Sequence, residues 1–234
     1  MSQTLIIIIS AIVFAQTKPA SQMVVDLSSP RTALISFRRA VAGNDEDALV
    51  STVYVADPSQ GSLIEAQAKL ILSSRSFAEA VASRFADSGD ALAAGVSRLA
   101  DVKLIDAAKV TINAGNDNDA TAMLASDLPP MVLHRGSDQL WRIDLPGFMG
   151  AGVHSPEEQA QQTALLTELA RALDSLRKDV NEGRFNTVVD VKAAVQDRVH
   201  SAIARSLRRG EAATRSAATQ PASSPTTSPT TDPS

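Results

Sequence analysis

The sequence predicts an α+β fold, in which N-terminal helices pack on a curved antiparallel sheet and a C-terminal helical hairpin follows. Three observations lead there. Between Pro30 and Ala86 apolar residues recur at spacings of three and four, the period of a helix. After Lys103 the period falls to two, and the clusters Gly115–Asn118 and Gly136–Asp138 punctuate it, as in strands joined by turns. From Ser155 the helical period returns, and Leu166, Leu169, Leu173, Leu176 and Val180 follow one another at 3-4-3-4 spacing, like a coiled-coil seam.

The elements follow in order. Ser29 is placed to cap a first helix that has Pro30 at its first position, and Ala33, Leu34, Phe37, Ala40 and Val41 form its apolar stripe. Gly43-Asn44 stops it. A second, short helix begins in Asn44-Asp45-Glu46-Asp47, buries Ala48, Leu49 and Val53, and closes at Asp57-Pro58. A long helix spans about Ser62 to Ala86 on Leu63, Ala66, Leu70, Phe77, Val81 and Phe85, and Ala91–Leu99 adds a further helical turn or two. Val110 and Ile112 then mark a strand, Ala120–Ala125 a returning strand, and Met131–Arg135 and Gln139–Leu145 a hairpin.

A three-residue loop, Gly136-Ser137-Asp138, pairs Arg135 with Gln139, Leu133 with Trp141 and Met131 with Ile143. The bulky pairs then share one face, and His134, Arg142 and Asp144 the other, with His134 and Arg142 as diagonal neighbours. Pro146–Gly152 reads as a linker. Ser155-Pro156-Glu157-Glu158 carries a capping box that starts a helix running to about Glu182. Gly183–Asn186 breaks it, and a last helix of about 20 residues carries Val188, Val191, Val195, Val199, Ala202 and Ile203 and ends near Arg209-Gly210. At that length it covers only part of the preceding helix and leaves apolar surface near Leu165 and Leu166.

The two ends read differently. Leu5–Ala15 is an apolar run too short to span a bilayer, which takes about 20 residues. Val13-Phe14-Ala15 suits cleavage before Gln16, so the run predicts an export signal. The n-region lacks Lys and Arg, and an uncleaved membrane anchor is the alternative. From Ala212 the chain turns to Ala, Thr, Ser and Pro, with prolines at 221, 225, 229 and 233. Such a segment has no apolar surface to offset the entropy of ordering.

Composition removes several functions. The chain has no cysteine, which excludes disulfides, thiol catalysis and Cys-ligated metal. A net charge of −4 and aromatic residues at 3% make poor material for a nucleic-acid binder. His134, His154 and His200 offer no i,i+4 pair for a metal, so neither metal nor cofactor is expected.

Two stretches carry a family likeness. One runs from Ser29-Pro30-Arg31-Thr32-Ala33-Leu34-Ile35-Ser36-Phe37 through Gly43-Asn44-Asp45-Glu46-Asp47-Ala48-Leu49; the other is Leu133–Ile143, a hairpin with Trp141 after a polar turn. Together with the order of two short helices, a long helix and an antiparallel sheet, they resemble the nuclear transport factor 2-like superfamily, which includes ketosteroid isomerases and polyketide cyclases. The resemblance implies a cone-shaped domain and, in the enzymes, an acid–base pair facing an interior pocket. Its reach is about Leu27 to Phe148. The resulting division is a signal peptide at 1–15, a linker at 16–26, a cone-like domain at 27–148, a helical hairpin at 153–210 and a disordered Ser/Thr/Pro tail at 211–234.

Tyr54 and Asp57 are the residues nearest in kind to such a pair, although they match no family motif. Tyr54 packing on the sheet and Asp57 serving the Asp-Pro turn is the plainer reading. His134, Arg142 and Asp144 are the candidate ligand-binding groups, against the plainer reading of a solvated face. Asp117-Asn118-Asp119 lacks the glycine and glutamate of a calcium loop. The expected function is an exported, non-enzymatic module that binds a ligand or a protein partner. The alternatives are a small isomerase or cyclase, and an adaptor that forms homo-oligomers through Leu166, Leu169, Leu173 and Leu176.

Overall fold

The computed structural model describes residues 24–86, 88–89, 92, 108–112, 116–124, 129–149 and 155–218, with side chains up to residue 208. The expectations for the signal at 1–15, the helical turns at Ala91–Leu99 apart from Leu92, the end of the Pro146–Gly152 linker beyond Met149, and the tail beyond 218 lie outside the described residues.

The first helix, α1 (Pro30–Gly43), starts as its sequence dictates. Ser29 accepts the N–H of Thr32, and Thr32 Oγ1 accepts the N–H of Ser29, a reciprocal capping box. Asn44 ends it in the left-handed region at φ 53°, which asparagine tolerates well. Asp45 caps α2 (Glu46–Ser51) through the N–H of Ala48. A 3-10 turn (Pro58–Gln60) leads into α3 (Gly61–Phe85).

The sheet has four antiparallel strands in the order β1-β2-β3-β4: β1 (Lys109–Ile112), β2 (Asp119–Met123), β3 (Met131–Arg135) and β4 (Trp141–Ile143). Thr52–Tyr54 runs along the free edge of β4, with the Ile143 N–H bonded to Thr52 O and the Tyr54 N–H to Ile143 O. One sheet face meets α1 and α3, and its Ala120, Ala122, Met131, Leu133, Trp141 and Ile143 are buried with Phe37, Leu49, Ile64 and Ile71.

The β3–β4 register departs from the expected one. Leu133 pairs with Ile143, His134 with Arg142 and Arg135 with Trp141, so the loop spans residues 136–140. The physical reason lies in the loop. Gln139 adopts φ 64°, Asp138 Oδ1 accepts the Leu140 N–H, and the Gly136 N–H closes on Leu140 O at 2.9 Å. Because the shift is two residues, not one, every side chain keeps its expected face.

Pro146-Gly147-Phe148 is not linker. It belongs to a short helix, α4 (Leu145–Phe148), capped by Asp144 and seated by the buried Leu145 and Pro146. Two long helices follow, α5 (Pro156–Asn181) and α6 (Val188–Ala218). The Ser155–Glu158 capping box starts α5 as the sequence predicts.

α5 lies parallel to α3. Gln159 donates to Ser59 O, Leu166 packs with Leu63 and Ala66, and Leu173, Leu176 and Val180 pack with Phe77 and Val81. α6 returns antiparallel along α5, with Arg198 on Asp179 and Arg205 on Glu168. It has 31 residues against the 26 of α5, so the shortfall expected of a 20-residue helix does not arise. Residues 211–218, expected in the tail, are helical. No helix among the described residues is long and apolar enough to cross a membrane.

Candidate functional site

The sheet face turned away from α1 and α3 gathers polar side chains from three strands and one edge segment. The alternation that buries Leu133 and Met131 turns His134 outward on β3, and cross-strand pairing sets Asp119 of β2 opposite it on one side and Arg142 of β4 on the other. Tyr54 enters from the segment hydrogen-bonded to Ile143, its ring centroid 4.8 Å from that of His134 at an interplanar angle of 50°.

His134 is the centre of the group. Its Nδ1 lies 2.7 Å from Asp119 Oδ1, which makes Asp119 the acceptor of the Nδ1–H and leaves Nε2 with the free lone pair in the neutral ring. Nε2 faces Asp144 Oδ2 at 3.8 Å. Asp119 is itself steadied by Asn116 Nδ2, which donates to its second oxygen. Asp144 is fixed by the Gly147 N–H, which donates to Oδ1 at 2.9 Å. The side chains of His134, Asp119 and Asp144 are 29–31% exposed, so the group is open to solutes yet held in place.

Arg142, although directly opposite His134, is committed elsewhere. Its Nη1 and Nη2 donate to Asp138 Oδ1 and Oδ2 at 3.1 and 2.8 Å. That fork, followed by the Leu140 N–H, holds the Asp138 carboxyl below the usual carboxylate range. Gly136 leaves room for it: a Cβ there would stand 2.7 Å from Asp138 Oδ1.

The structure therefore brings Tyr54 together with His134, Arg142 and Asp144, two groups that sequence reasoning held apart. It does not bring Asp57 to them. Asp57 is exposed and caps the 3-10 turn by accepting the Ser59 N–H at 2.8 Å. Asp119 was missed, read only as part of a turn; the signal that would have found it is the β2–β3 register, which sets Asp119 against His134. Among the described residues no three His, Asp or Glu side chains converge as a ready metal cage.

The seam leucines have another role. Leu166, Leu173 and Leu176 are buried against α3 within the same chain, and Leu169 is half-buried. In comparisons with known proteins, no family model matches this chain, and neither does any curated protein or solved structure.

Proposed function

We propose that the chain is an exported, non-catalytic binding module whose outward sheet face, centred on His134, receives a small polar ligand. One observation carries this reading: the His134 ring is fixed by Asp119 at 2.7 Å and by the Tyr54 ring, with Nε2 presented outward beside Asp144. Pre-oriented polar groups at partial exposure are what small-ligand recognition uses, since ordering them costs nothing at the moment of binding.

The opposite sheet face gives less support to the isomerase or cyclase alternative. It is filled by Trp141, Leu133, Ile143 and Met131, and neither Tyr54 nor Asp57 faces it. The adaptor alternative would need Leu166, Leu173 and Leu176 to leave α3. The likeness to the nuclear transport factor 2-like cone draws on the order of α1, α2, α3 and the antiparallel sheet. A cone with an appended C-terminal helical hairpin, α5 and α6, remains our reading of the whole. Export draws on the apolar run Leu5–Ala15.

The test is a screen of polar fragments by ¹H–¹⁵N spectra of the chain from Gln16, in the presence of EDTA. Shifts centred on Asp119, His134 and Tyr54, and lost in His134→Gln, are the expected result. Shifts centred elsewhere, or none across the library, would overturn the reading.

A further inference from the structure

We propose that His134 Nε2 and Asp144 Oδ2 together hold a divalent transition-metal ion of borderline softness, with Zn²⁺ as its representative. The proposal rests on the outward face being the binding surface. With Nδ1–H given to Asp119, Nε2 and a carboxylate oxygen of Asp144 face each other at 3.8 Å. The gap is too long for a hydrogen bond. An ion between them, at about 2.0–2.2 Å from each, draws the two donors to a separation of just this order.

Both donors already have the outer partners that metal ligands use. Asp119 behind Nδ1 reproduces the carboxylate–histidine–metal arrangement, which fixes the orientation of the ring. The Gly147 N–H holds the other oxygen of Asp144 at 2.9 Å. Arg142 does not repel the ion strongly, because Asp138 neutralises it through the bidentate pair. Two protein ligands leave the remaining positions to water or to a ligand donor atom.

The experiment uses the mature chain, stripped with EDTA, dialysed, and titrated with ZnCl₂ alone while the histidine ring ¹⁵N resonances are followed. A saturable shift of His134 Nε2 at sub-millimolar Zn²⁺, ahead of His200, is expected. His134→Gln should abolish saturation, and Asp119→Asn should weaken it by about 10–100-fold, as loss of an outer partner does.

Absence of saturation at millimolar Zn²⁺, or saturation unchanged in His134→Gln, would overturn the proposal. If His134→Gln fails to fold, the order of response of His134 and His200 in the wild-type chain decides alone. Fragment binding that persists in EDTA while Zn²⁺ fails to bind would remove the metal and leave the binding surface standing. The reverse outcome would remove the small-ligand reading only.

Discussion

Trp141 is the side chain on which the sheet depends most visibly. It is 4% exposed, sits on the face toward the helices and bonds its backbone N–H to Leu27 O. Trp141→Ala should cost about 3–5 kcal/mol in denaturant unfolding, the range for large core truncations. Wild-type fluorescence should be blue-shifted and poorly quenched by iodide, and free quenching would contradict that burial. Gln67 poses the opposite case. It is fully buried on α3, and neither atom of its amide has a hydrogen-bond partner among the described residues. Orphaned polar groups cost about 1–3 kcal/mol, and an apolar side chain of similar shape removes that cost. Gln67→Met should therefore raise the midpoint of urea unfolding; a lower midpoint would mean that the amide has a partner in solution.

The β3–β4 loop and the α5–α6 pair are held by charge, in two different settings. At the loop, the Arg142 fork and then the Leu140 N–H depress the pKa of Asp138. A carboxylate held lower when folded than when unfolded stabilises fully above its unfolded value, about pH 4, and loses that contribution as pH falls through the folded value. Asp138→Asn should thus lower the melting temperature at pH 7, and the difference from wild type should shrink as pH drops below about 4. Between α5 and α6 the carboxylates are buried. Asp179 is 5% exposed and meets both Arg184 and Arg198, and Glu168 is 4% exposed and meets Arg171 and Arg205. Asp179→Ala removes charge-assisted hydrogen bonds to two arginines that water reaches, so it should cost about 1–3 kcal/mol by chemical denaturation.

At the scale of the molecule, α5 joins the two halves of the chain. Its buried Leu173, Leu176 and Val180 complete a cluster with Phe77 and Val81 of α3 and Val191 of α6. A chain ending at Gly147 would leave that side of α3 facing water. It should bind a hydrophobic dye and lose cooperative melting by circular dichroism; a sharp transition in the truncated chain would show that the first half folds alone. Arg84 adds a polar tie at the far end, donating to Phe185 O in the turn between α5 and α6. Export belongs to this scale as well. Mass spectrometry of the protein from its native cells should find Gln16 at the mature N-terminus, and an intact Met1 would count against export.

Local rules carried most of the elements. Ser29 with Thr32, Asn44, Asp45, and Ser155 with Glu158 each mark a helix boundary through bonds within a few residues, so their positions are legible from neighbours alone. The faces of β3 and β4 were legible for a similar reason: strict alternation assigns Leu133 and Trp141 to one side and His134 and Arg142 to the other, whatever even shift the loop imposes. The loop length was not legible, because Asp138 can close either a short turn or the longer one that Arg142 and Gln139 select. The 3-4-3-4 spacing of Leu166, Leu169, Leu173 and Leu176 states that a stripe must be covered without naming its cover. Tertiary structure chose α3, some hundred residues earlier in the chain, and with that choice turned an apparent coiled-coil seam into core. The candidate site depends on the same kind of decision. Tyr54, Asp119, His134 and Asp144 spread over ninety residues; the hairpin alternation links His134 with Asp144, but no spacing rule adds Tyr54 or Asp119 to them. Only the pairing of β2 with β3, of β3 with β4 and of Thr52–Tyr54 with β4 brings a carboxylate to each ring nitrogen and an aromatic ring against the imidazole.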